Sequence, residues 1–129
     1  MRAIDTNVVI RFLTADDARD YKAARAVIEA GGVHVPLTVF LESEWVLRSA
    51  YGLSRVEIAD GLAGLAGLPA VSVEEPAMLA MALGWMRDGM DFADALHLAK
   101  AKDCTSFLTF DRKLAKLAKK RSALPVELL

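Results

Sequence analysis

A chain of 129 residues, 54% of them hydrophobic, can bury one core without staples and is too apolar for disorder. Its single cysteine, Cys104, excludes an internal disulfide and a zinc site built on several thiolates, and no run approaches the roughly 20 apolar residues of a membrane span. The formal net charge of −1 excludes a polycation, so a nucleic-acid partner must be held by a local basic patch.

In chain order, the pattern predicts a short strand over 2–5, a helix over 17–30 stopped by Gly31 and Gly32, and a strand over 33–36. A helix over 38–50 with Thr38 as its cap follows, then a helix over 54–66 opened by Ser54 with Glu57 three residues on. A strand over 70–73 precedes helices over 75–87 and 91–102. A strand over 106–109, a lysine-rich helix over 112–120 and an edge strand over 126–128 complete the chain. No repeat, linker or low-complexity tract divides it, so residues 1–129 are expected to form a single domain. Strands alternating with helices predict an α/β fold with a mainly parallel sheet covered on both faces. The MRAIDTNVVI start, broken by Asp5 and Asn7, has no signal-peptide pattern, and a reducing cytoplasmic setting is expected.

In parallel sheets, ligands bind at the carboxyl ends of strands, and acids gather there. Asp5 ends the first strand, beside the turn formers Thr6 and Asn7. Asp91 suits a helix cap, and Asp94 falls in the first turn of the same helix. Asp111 follows the apolar run SFLTF and precedes the lysine-rich helix. On the 38–50 helix, Glu42 shares a face with Val39, Val46 and Ala50, an apolar stripe where an unpaired charge is unfavourable. Glu44 falls four residues before Arg48, the spacing of an exposed ion pair. Glu42 is therefore expected to be functional and Glu44 to be surface. Each acid alone also fits a bland role: a strand-closing turn, a helix cap or a buried salt bridge. Together, clustered carboxylates call for a cation, and oxygen-only ligands favour Mg²⁺ or Mn²⁺. Such a cation suits hydrolysis of a phosphate ester.

The segments IDTNVVIRFL, LESEWVLRSAYGLSR, DFADALHLAKA and LTFDRKL, in this order, resemble PIN-domain proteins, most closely the VapC-type toxins of type II toxin–antitoxin modules. The resemblance spans nearly the whole chain. It implies a three-layer α/β/α sandwich with an acidic pocket that binds Mg²⁺ or Mn²⁺. The family's signature acids fall on Asp5, Glu42, Asp94 and Asp111. Asp91, Thr6, Asn7 and Thr109 match positions that support the pocket. Arg112 and Lys113 stand where some relatives carry another acid, leaving one or two metals open. A metal-dependent endoribonuclease, a cognate antitoxin and a homodimer are what the resemblance implies. A PIN nuclease of RNA maturation or decay is the alternative role. A phosphohydrolase of the HAD type would want a DxD motif where Asp5 is followed by Thr6–Asn7, and a non-catalytic binding module would have no need of four acids.

Lys113, Lys116 and Lys120 share a helix face beside Arg112, Lys119 and Arg121. That face is either an ordinary solvated one or a patch for RNA phosphates, for which Arg112, Lys113, Lys116 and Lys120 are the candidates. His97 is expected at the surface or pocket rim and His34 in a structural role. Trp45 and Trp85 read as core or dimer contacts, and Met78, Met81 and Met86 as packing. The Asp16, Asp17 and Asp20 group reads as helix-start charge.

Overall fold

The computed structural model describes residues 1–129, which form two compact units, Met1–Pro76 and Ala77–Leu129. The first unit holds β1 (Arg2–Ala3), α1 (Thr6–Thr14), α2 (Ala18–Glu29), β2 (Val33–Val35), α3 (Leu37–Ser49), α4 (Arg55–Ala66) and β3 (Val71–Val73). Its strands pair in the order β1-β2-β3, all parallel, with Ala3 opposite His34 and His34 opposite Ser72. Parallel neighbours need long crossovers, and each is a pair of helices. His34 is structural, as expected: its Nδ1 shares a hydrogen bond of 2.8 Å with Ser72 Oγ across the ladder. Val33 and Val35 on β2 are buried with Val9, Ile28, Phe40 and Ile58.

The helix α1 is a correction, since the sequence reading leaves residues 6–16 without an element. Its near-continuous run of apolar and β-branched side chains hides the helical period. The signal present is the capping aspartate: Asp5 Oδ1 accepts from Val8 N at 3.2 Å. Asp5 therefore closes no turn after a strand, and β1 ends at Ala3. The cap of α3 also differs from expectation. It is Pro36, not Thr38, and Pro36 offers no side-chain acceptor. Glu74 supplies the missing acceptor from 37 residues away, its Oε1 taking the Leu37 N–H at 3.0 Å. At α4 the expected capping box is present: Ser54 Oγ accepts from Glu57 N at 3.1 Å, and Glu57 Oε1 accepts from Ser54 N at 3.0 Å. After α2 the chain turns through Gly31 and Gly32 at φ 81° and 63°, where a Cβ would be strained.

Of the early aspartates, Asp17 caps α2 and Asp20 lies in its first turn. Asp16 does something else. It accepts from Tyr51 Oη at 2.7 Å, Thr14 Oγ1 at 2.9 Å and Arg11 Nη1 at 3.1 Å, tying the end of α1 to the residues after α3. These donors, the Tyr51 hydroxyl foremost, hold its carboxyl down at about 2.

The second unit holds α5 (Pro76–Arg87), α6 (Phe92–Lys100), β4 (Phe107–Thr109), α7 (Arg112–Arg121) and β5 (Val126–Leu128). β4 and β5 pair in parallel, Phe107 opposite Val126 and Thr109 opposite Leu128, with α7 as the crossover. Leu79, Leu83, Met86, Phe92, Leu98 and Leu114 are buried. Met78 and Met86 pack as expected, but Met81 is exposed, and Trp45 on α3 is 59% exposed. With every strand pair parallel and seven helices between and around them, the chain has the α/β class that the pattern implies. No helix is long and apolar enough to cross a membrane.

Candidate active site

Three of the candidate acids are built into helix starts. Asp5 caps α1. Asp91 caps α6, with Oδ2 accepting from Asp94 N at 3.1 Å. Asp111 caps α7, with Oδ1 accepting from Leu114 N at 3.0 Å. A carboxylate in this position satisfies an orphan amide and meets the positive end of the helix. Each cap uses one oxygen, so the second oxygen remains available to another ligand.

Asp5 and Glu42 belong to the first unit. Thr6, beside Asp5, is buried, and Asn7 is exposed. Asn7 lines a groove of about 320 Å³ between α1 and α2, with Val8, Arg11, Asp20 and Val27. Asp91, Asp94 and Asp111 belong to the second unit, and there the charges of Asp91 and Asp111 both act on Asp94. The half-buried Asp94 carboxyl is pushed up from its usual value of 3.8, first by burial and then by the like charges of Asp91 and Asp111. His97, three residues on, opposes this weakly and is exposed, as the rim position implies. Thr109 Oγ1 accepts from Asp111 N at 2.9 Å and fixes the turn that presents Asp111.

The α3 acids reverse the expectation from the sequence. Glu44 is buried, at 3% exposure, while Glu42 is exposed. The buried stripe of α3 is Leu37, Phe40, Glu44 and Leu47, not Val39, Glu42, Val46 and Ala50. Both stripes are apolar at helical spacing, and the bulkier Leu and Phe residues win the core. The pair with Arg48 does form, Nε to Oε2 at 2.8 Å, but it compensates a carboxylate inside the core. Glu42 thus has the accessibility a ligand needs, for a reason opposite to the one the stripe offers.

Starting at Arg112, the residue after Asp111, a basic groove of about 590 Å³ runs between α7 and the chain leading into β5. Arg112, Lys116 and Lys119 line it, together with Leu124 and Leu128. Lys113 and Lys120 are exposed but do not line the groove, and Arg121 is engaged by Asp88 at 2.8 Å. Leu114 and Ala118 form the buried face of α7.

The sequence of residues 3–120 matches the family model of the PIN domain. The chain belongs to the PIN-domain family. No curated protein and no solved structure gives a significant match to it. PIN domains are generally metal-dependent nucleases, so membership implies a nuclease fold, an α/β sandwich, and a hydrolase that acts on nucleic acid. In neither unit of this PIN domain do three acidic, histidine or cysteine side chains converge closely enough to hold a metal as they stand. The chemistry of the donors nevertheless fits a hard dication. All are carboxylates, and at Asp94 burial and the like charges of Asp91 and Asp111 disfavour an ionised carboxyl that has no cation beside it.

Two residues of the PIN domain escape the sequence reading. Lys119, not Lys113 or Lys120, lines the groove with Arg112 and Lys116, a choice between adjoining helix faces that spacing alone does not resolve. Phe110, the last residue of the apolar run SFLTF, lies beyond the end of β4 and is 81% exposed.

Proposed function

We propose that this PIN domain is a Mg²⁺- or Mn²⁺-dependent endoribonuclease that hydrolyses RNA phosphodiester bonds as the toxin of a toxin–antitoxin pair. The observation that carries the reading is Asp94: a half-buried carboxylate repelled by Asp91 and Asp111 at the start of α6, in a chain of the PIN family. Asp5, Glu42, Asp94 and Asp111 are the proposed ligands, with Asp91, Thr6, Asn7 and Thr109 in support. Once bound, the dication would neutralise phosphate charge and activate water for attack on phosphorus. A bound cation would offset the burial and the like charges that disfavour the ionised Asp94 carboxyl. Asp91 and Thr109 hold Asp94 and Asp111 through backbone amides and thereby fix where their free oxygens sit.

The toxin role is supported by the four segments that resemble VapC-type toxins. A cognate antitoxin would inhibit by placing an arginine or lysine where the cation's charge belongs. Residues 1–129 are read as one nuclease domain, because the family match runs through both compact units. A homodimer through the region of α3 and α4 is supported by the exposed Trp45 and Val56. A cytoplasmic location is in keeping with the lone, exposed, free Cys104.

The test is RNA cleavage by the protein freed from its neighbouring gene product. Mg²⁺ or Mn²⁺ should support cleavage, EDTA should abolish it, and adding the neighbouring product should inhibit it. Cleavage that persists in excess EDTA with Asp94→Asn and Asp5→Asn, in a preparation free of other nucleases, would refute the reading.

A further inference from the structure

We propose that Phe110 is a base-stacking platform for single-stranded RNA, set where β4 ends and α7 begins. The inference rests on the nuclease reading and names the form of RNA that the second unit accepts. Phe110 is the central residue of the turn closed by Asp111 N donating to Thr109 Oγ1 at 2.9 Å. At 81% exposure its ring packs against no core, and the fold gains nothing from an aromatic there. The turn lies at the carboxyl end of a parallel strand, where α/β sheets present residues to ligands. The residue after Phe110 is Asp111, one of the proposed ligands, so a base on the ring would bring its phosphodiester near the acids.

Charge selects the occupant. The α7 segment RKLAKLAKKR carries six cations and no acid. Arg112, Lys116 and Lys119 line the adjoining groove, which includes Leu128, the strand partner of Thr109. An exposed aromatic beside a cationic groove is the arrangement by which proteins hold unpaired nucleic acid: cations follow the backbone while bases stack on the ring. A duplex buries its base faces and offers Phe110 nothing to stack. Leu108, and Leu129 whose N–H donates to Thr109 O at 2.8 Å, are also exposed and would suit a protein surface, but six cations on one helix with a groove beside them match a phosphate backbone better.

The test uses the full chain in EDTA with a fluorescein-labelled, mixed-sequence RNA of about 12 nucleotides, a length that fits the site sizes of single-strand binders. Anisotropy should show Phe110→Ala and Phe110→Leu weakening binding about tenfold, with Phe110→Trp restoring it. The same RNA as a duplex should bind equally to all four proteins. Melting temperatures should not differ, because the ring is exposed. With Mn²⁺, Phe110→Ala should raise KM and leave kcat nearly unchanged. Single-strand affinity and KM untouched by Phe110→Ala would overturn the proposal, as would equal losses on single strand and duplex. Lost self-association with RNA binding intact would assign the ring to a protein contact and overturn it too. Wild-type protein that binds the single strand through Phe110 but never cleaves it would refute the nuclease reading and leave this one standing.

Discussion

Replacing Asp94 by Asn removes a charge from α6 while keeping the side chain's size. Three effects compete. The like charge of Asp91, three residues before it on the helix surface, opposes folding by about 0.2–0.5 kcal/mol, and Asp111 adds a contribution of similar order. Against these, a first-turn carboxylate gains about 0.3–1 kcal/mol from the helix dipole. Burial, the largest cause of the raised Asp94 carboxyl, tips the balance toward the neutral side chain. After discounting for solvent screening at a half-buried site, Asp94→Asn should stabilise the metal-free protein by about 0–1 kcal/mol, a melting rise of about 0–5 °C. A carboxyl that is harder to ionise when folded favours the folded state in acid. Its contribution is lost as pH rises from 3.8 through the raised value, so the advantage of the Asn variant should grow over that window and level off above it. Mn²⁺ at about 100 times its dissociation constant should stabilise the wild type by about 2.7 kcal/mol, and the variant much less. Thermal melts of both proteins, with and without Mn²⁺, decide the matter. A metal-free loss above about 1 kcal/mol would show that Asp94 serves the helix start, and an undiminished Mn²⁺ effect would show that it is not a ligand.

Substitutions at Arg48, Tyr51 and Ser43 probe the first unit. Arg48→Ala leaves the Glu44 carboxylate in the core without its 2.8 Å partner and should lower stability in urea by about 1–3 kcal/mol, while Glu44→Met with Arg48→Met should come close to wild type; equal losses in both would show that the pair is not what matters. Tyr51→Phe removes the leading cause of the low Asp16 carboxyl, so its midpoint by NMR titration should move up from about 2 toward 3.8. The stability this group contributes above that range and loses as pH falls toward 2 should shrink accordingly; an unmoved midpoint would refute the assignment. Ser43→Ala deletes a buried hydroxyl that has no hydrogen-bond partner and should leave stability unchanged or raise it by about 0–1 kcal/mol by calorimetry. A clear loss would mean that the hydroxyl is satisfied in solution.

What the sequence reveals depends on how local the cause is. Ser54 and Glu57 form a capping box because both partners sit within one turn, and Gly31 and Gly32 end a helix by their own backbone freedom. The cap of α3 is different, since Glu74 reaches Leu37 from a distant part of the chain and no local pattern predicts it. The faces of α3 are ambiguous for a related reason: two apolar stripes fit the helical period, and only packing decides that Glu44 turns inward and Glu42 outward. The acids are legible as types and positions. The mutual repulsion at Asp94 is not, because it needs Asp111 brought back from beyond β4. Phe110 is missed because it closes the apolar run SFLTF, and nothing local marks its ring as lying outside the core.

The aspartates at helix starts carry an evolutionary corollary. In a descendant relieved of any chemistry, selection for folding alone would still retain Asp5, Asp91 and Asp111, or exchange them for Asn or Ser, because α1, α6 and α7 each need an acceptor at the first turn. Asp94 and Glu42 cap no helix, so they would drift first. Across a set of homologues, the two uncapping acids are therefore the positions at which retired copies would part from working ones.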